Sequence, residues 1–152
     1  MVHGLHQVRL EMPIERVWEF ISDVNNWAPL VPGYIEHEII NNQRSIWKLH
    51  GDGVIRKTVN LKVDIIEWNK PTDIAFRLSR LNEASIGTGY FKAITLTDFT
   101  VEMSGYLNIS LKGIIGQMVN PVLNTVIPTV GKEFTEKVAA KMLERNKEKL
   151  TV

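Results

Sequence analysis

Residues 112–150 read KGIIGQMVNPVLNTVIPTVGKEFTEKVAAKMLERNKEKL, and this stretch decides the fold. Asn120 followed by Pro121 marks a helix start, because Asn is a preferred N-cap and Pro at the first helical position gives up an N–H that would lack a partner there. Beyond it Leu123, Ile127, Val130, Phe134, Val138 and Met142 recur at three- and four-residue spacing, the signature of one buried helical face. About 30 residues at about 1.5 Å rise give a rod of about 45 Å, enough to cross a small domain. Pro128 cannot donate to the carbonyl of Asn124 and predicts a kink, with Gly131 nearby to absorb it. Before that kink Ile115, Met118, Val119, Val122 and Val126 widen the apolar arc beyond what one sheet would bury. Either neighbouring loops cover this surplus, or it lines a ligand cavity or its gate. Lys132, Glu133, Glu136, Lys137, Lys141 and Glu144 take the solvent side after the kink.

Everything upstream reads as a surface prepared for such a rod. Leu5 to Met12 alternates as an edge strand, and Pro13 opens a short helix in which Ile14, Val17, Trp18 and Ile21 share a face. Ser22-Asp23 ends it, and Asn25-Asn26-Trp27-Ala28 makes one further turn before Pro29. Pro32-Gly33 then turns the chain into a series of strands. Tyr34–Ile40 and Ile46–His50 form a hairpin with Ile39 against Trp47 and His37 against Leu49, which turns His37 inward. Val54–Trp68 returns with Ile65 against Ile74, Val63 against Phe76 and Leu61 against Leu78. In the last hairpin, Ser85–Thr97 with Thr100–Leu111, Leu96 meets Val101 and Ile94 meets Met103. Continuing that register points Lys92 into the domain unless a bulge rotates it out, and the cost of an unpaired buried ammonium favours the bulge. One apolar and one polar face imply an antiparallel sheet covered on one side, with the C-terminal helix as the element large enough to cover it.

These 152 residues, 44% hydrophobic and 23% charged, predict one ordinary globular domain spanning residues 1–152. A net charge of +1 with no basic run argues against nucleic acid as a partner. The absence of cysteine excludes disulfides, thiolate metal sites and a cysteine nucleophile. Met1–Leu10 lacks an apolar h-region and no long apolar run follows, which predicts a soluble, cytoplasmic protein.

The order of elements, a strand, two short helices, a strand series and a long C-terminal helix, is similar to the helix-grip fold of START, Bet v 1 and polyketide-cyclase-like (SRPBCC) domains. Pro13 with Val17-Trp18, then Asp23 and Pro32-Gly33-Tyr34, resembles the opening of the CoxG-like branch of that superfamily, the one associated with carbon monoxide dehydrogenase. Gly87-Thr88-Gly89 leading to Thr95-Leu96 resembles its glycine-containing strand, and Lys112-Gly113-Ile114-Ile115-Gly116 followed by the helix with Phe134 resembles its ending. Lys112 and Ile115 stand where that ending often has glycine and alanine pairs, and Pro121 and Pro128 are additions to it. The resemblance spans essentially the whole chain. It implies an α+β domain in which a curved antiparallel sheet of about seven strands wraps the helix and encloses an apolar cavity, used across the superfamily for lipids, sterols, polyketides, isoprenoid-like molecules or protein clients.

The chemistry on offer is sparse. His3 and His6 lie at the N-terminus, His50 has Glu36 as a charge partner, and His37 is either a satisfied interior histidine or a ligand contact. No pair of His, Asp or Glu stands at metal-ligand spacing on one face, and no nucleophile elbow, phosphate loop or dinucleotide fingerprint is present. Neither a metal nor a cofactor is therefore expected, no catalytic residue is assigned, and catalysis is disfavoured against binding. The candidate ligand-binding set is His37, Trp47, Leu61, Val63, Phe76, Leu78, Ile94, Met103, Leu107, Ile127, Val130 and Phe134. The expected ligand is a lipophilic small molecule such as a lipid, isoprenoid or quinone. Residues 112–127 are the candidate contact with a membrane surface or a partner enzyme, and cyclase or dehydratase activity is the remaining alternative.

Overall fold

The structure, a computed structural model, describes residues 2–31, 33–50, 58–81, 85–109 and 126–150. Strand β1 (Val2–Leu10) is followed by helices α1 (Ile14–Ile21) and α2 (Val24–Trp27) and a 3-10 turn, Ala28–Leu30. Strands β2 (Tyr34–Ile39), β3 (Arg44–His50), β4 (Thr58–Asn69), β5 (Asp73–Arg80), β6 (Ser85–Thr97) and β7 (Thr100–Ile109) come next, and helix α3 (Val126–Leu150) closes the chain. The seven strands form one antiparallel sheet in the order β1-β7-β6-β5-β4-β3-β2. This is the α+β helix-grip architecture expected from the sequence. Residues 110–125 lie outside the described residues, and with them the expected helix start at Asn120-Pro121 and most of the surplus apolar arc. Pro128 is the third residue of the described helix, and Asn124, whose carbonyl it cannot serve, lies outside the described residues.

Each of the three expected hairpin registers is displaced, and the size of the slip decides what survives. In β2–β3 His37 faces Trp47 and Ile39 faces Ser45, two residues from the expected register. The cause is a tighter turn: Asn41 Oδ1 accepts the amides of Gln43 and Arg44, both at 2.9 Å, and draws Arg44 and Ser45 into the strand. In β4–β5 Ile65 faces Phe76 and Val63 faces Leu78, again shifted by two residues, with a bulge between Ile65 and Glu67. Because side chains alternate with period two, both slips leave the apolar sets on the inner face.

The last hairpin slips by one, so the faces exchange. Thr95 faces Val101 and Ala93 faces Met103, with a bulge between Thr95 and Thr97. Phe91 and Ala93 therefore join Gly87 and Gly89 as buried residues of β6, while Ile94 and Leu96 are 49% and 48% exposed. Lys92 points to solvent, as the cost of a buried ammonium requires.

Helix α3 does not cover the sheet alone, as the sequence pattern suggested; it packs on β1 and β7. Its buried side chains are Thr135, Val138, Ala139 and Met142, with Phe134 partly buried beside them. The close approach to β7 depends on Gly105, where a Cβ would lie 2.5 Å from Thr135 Oγ1. Thr135 in turn donates to the carbonyl of Gly131 at 2.8 Å, which fixes its hydroxyl in that hollow. Near the helix end Arg145 donates to Asn26 Oδ1 at 2.8 Å and stacks over Phe20 with 5.1 Å to the ring centroid. Gly105→Ala should lower the denaturant midpoint, corresponding to about 1–3 kcal/mol of overpacking. Combining it with Thr135→Ala removes the clashing atoms, so the double variant should be more stable than the sum of the two single losses, as a double-mutant cycle would measure.

Candidate functional site

The inner face of the sheet is packed unevenly, and most tightly around Trp27. Asp23 caps α2 by accepting the amide of Asn25 at 3.0 Å, which sets the four-residue helix that delivers Trp27. The indole is 1% exposed, and its Nε1 donates to the carbonyl of Ile21 at 3.0 Å, satisfying its one polar group. Around the ring stand Trp47 and Phe76 at 5.5 Å, Phe91 at 5.3 Å and Phe134 at 6.2 Å between centroids. Gly89 makes room for this arrangement, since a Cβ there would lie 2.5 Å from Phe76 Cζ. Trp47 is likewise satisfied, donating to Ser45 Oγ at 2.8 Å.

Of the candidate residues, Trp47, Leu61, Val63, Phe76, Leu78 and Met103 are buried on the inner face. Leu107 and Phe134 are partly buried and pack against that core. Ile94 is a correction: the one-residue slip of the last hairpin places it on the outer face, half exposed, and it lines nothing inside. The side chains of Ile127 and Val130 lie outside the described residues. The residues that sequence reasoning missed are Trp27, Phe20 and Phe91. Phe91 was recoverable from the parity of Lys92, because a lysine forced outward turns its neighbour inward.

His37 keeps the expected face but not the expected neighbour, and lies near the edge of the sheet, on the strand next to α2. Its Nε2 is 2.7 Å from Asn25 Oδ1, and its Nδ1 is 2.6 Å from the Tyr34 hydroxyl. An amide oxygen only accepts, so Nε2 carries the proton and Tyr34 donates to Nδ1 in the neutral ring. His37 is thus satisfied by two side chains, and the phenol of Tyr34 is fixed where its ring packs against the core.

Away from Trp27 the packing thins. Leu49 at the end of β3, Val59 at the start of β4 and Leu107 near the end of β7 all belong to the same end of the sheet. All three are partly buried, as is Tyr34 at the start of β2. This end adjoins segments 51–57 and 110–125, outside the described residues. Among the described residues no group of three His, Asp or Glu could hold a metal ion, and no helix is long and apolar enough to cross a membrane.

A family model matches residues 1–146, and the chain belongs to the SRPBCC superfamily of START-like and polyketide-cyclase-like domains. No curated protein matches it at a significant level. Among solved structures it is similar to a conserved protein from Geobacillus kaustophilus, with a TM-score of 0.76 and 13% identity over 94% of this chain and 96% of that one. It is also similar to the Zhui aromatase/cyclase from Streptomyces sp. R1128, with a TM-score of 0.65 and 19% identity over 97% and 94% of the two chains. A START superfamily protein from Mycobacterium smegmatis gives a TM-score of 0.65 and 11% identity over 96% and 97%. At these identities the likeness is one of fold.

Trp27→Ala should cost about 3–5 kcal/mol in a denaturant melt, because it removes a fully buried aromatic from between sheet and helix. The void left behind is apolar, and benzene should raise the melting temperature of the variant but not of the parent.

Proposed function

We propose that the chain binds an apolar small molecule, such as a lipid, isoprenoid or quinone, between the inner face of the sheet and the C-terminal helix, without transforming it. The observation that carries this reading is the difference between the two ends of the inner face. Around Trp27 the aromatic side chains close on one another, whereas Leu49, Val59 and Leu107 face inward and keep part of their surface open. Apolar surface of this kind contributes roughly 25 cal/mol per Å² when a ligand removes it from water. Tyr34, whose hydroxyl proton goes to His37, keeps its oxygen as an acceptor beside that surface, enough to orient a hydroxyl head. The likeness to START-superfamily and aromatase/cyclase folds supports a pocket between sheet and helix as the functional region.

A cyclase-type reading would use the same space, with Tyr34 and His37 as its proton-transfer groups. Contact with a membrane or a partner enzyme through residues 112–127 is the other reading, and a protein rather than a small molecule would then accompany the chain. Native mass spectrometry of protein purified from its own host should show a co-purified lipophilic mass, released unchanged on denaturation. Leu107→Lys should abolish that mass while leaving the far-ultraviolet circular dichroism intact. A chemically altered product points to the cyclase, and a ligand-free spectrum with a bound protein points to docking.

A further inference from the structure

We propose that the cleft between the α1–α2 junction and the β2–β3 turn is a second ligand site, suited to a neutral, polyhydroxylated ring of the sugar type. It lies at the opposite end of the sheet from Leu49, Val59 and Leu107, and uses none of those residues. The cleft measures about 470 Å³, inside the roughly 300–1,000 Å³ usual for small-molecule pockets. Part of its lining is apolar: Trp68 and Ile39 are 39% and 45% exposed, with Ile65 buried beside them. Trp68 is held at its edge, Nε1 donating to the carbonyl of Ser22 at 3.4 Å.

The polar side of the cleft selects against charge. Arg44 is the cation of the lining, and its Nε donates to Asp64 at 2.7 Å, so the guanidinium is balanced within the protein. Asp23 disfavours an anion; one of its oxygens serves the amide of Asn25, and the other has no partner among the described residues and can accept from a ligand hydroxyl. Asn42 and Gln43 present amide groups, each with donors and an acceptor, the same dual capacity as a hydroxyl. Ser45 adds a buried donor. It is 2% exposed, its Oγ accepts Trp47 Nε1, and the hydroxyl proton has no acceptor among the described residues. A flat hydrocarbon in this cleft would leave these groups dry and unpaired, whereas a ring with a C–H face and a hydroxyl edge meets both sides.

The turn that carries Asn42 and Gln43 is fixed before any ligand arrives. Asn41 Oδ1 holds the amides of Gln43 and Arg44, Gln43 O accepts the Ile65 amide at 2.7 Å, and Arg44 O accepts the Ile40 amide at 2.9 Å. A site built on such a turn loses little to ordering when it binds.

Indole N–H signals in a proton–nitrogen correlation spectrum read this cleft directly, because the chain has four tryptophans and two of them report on it. Titration of the full chain with methyl β-D-glucopyranoside should shift the Trp68 and Trp47 signals saturably and leave the Trp18 signal in place. Gln43→Ala and Trp68→Ala should each weaken the apparent affinity at least tenfold, or about 1.4 kcal/mol, with the remaining spectrum unchanged. The proposal is overturned if no saturable shift appears at tens of millimolar glucoside. It is equally overturned if benzyl alcohol saturates the same signals at lower concentration, since the cleft would then favour an apolar aromatic. Neither outcome touches the lipophilic site, whose readout is a co-purified mass.

Discussion

The fold depends on one buried side chain that joins the sheet to helices no hydrogen-bond ladder ties to it. The Trp27 ring touches aromatics from β3, β5, β6 and α3, while its nitrogen is tied to the end of α1. A sheet this wide presents more inner surface than one helix can cover, and α3 packs on the β1–β7 side. The α1–α2 segment supplies the remainder through Trp27, Phe20 and the residues that follow. Two covers of different origin meet at one ring.

Much of this was legible in the sequence, and the exceptions have physical causes. Strand identity and the face assignments of β2 to β5 came through because alternation is insensitive to slips of two residues. The bulge between Thr95 and Thr97 inserts one residue, and that is enough to exchange Ile94 for Phe91 and Ala93 inside. Trp27 escaped because a four-residue helix is too short to show a period, so nothing in the local pattern separates a buried tryptophan from a surface one. The tie of His37 to Asn25 was hidden for a different reason: 12 residues separate the partners, and only the docking of α2 against β2 brings them together.

The candidate site was legible to the same degree. An apolar inner face could be read from alternation, and most of the named residues belong to it. Whether such a face encloses space or solid packing depends on what the opposing elements insert. Around Trp27 aromatic rings close on one another, and at the Leu49–Leu107 end aliphatic side chains remain partly open.

The contacts of α3 carry one mechanical consequence. Thr135 is seated in the hollow above Gly105, and ten residues later, about 15 Å along the axis, Arg145 is fastened to Asn26 and Phe20. A rod held at two points can neither slide nor pivot without breaking one of them. The helix is thus braced against β7 at one point and against the α1–α2 segment at the other, which leaves rotamer changes in the side chains that line the interior as the readiest way to accommodate guests of different girth.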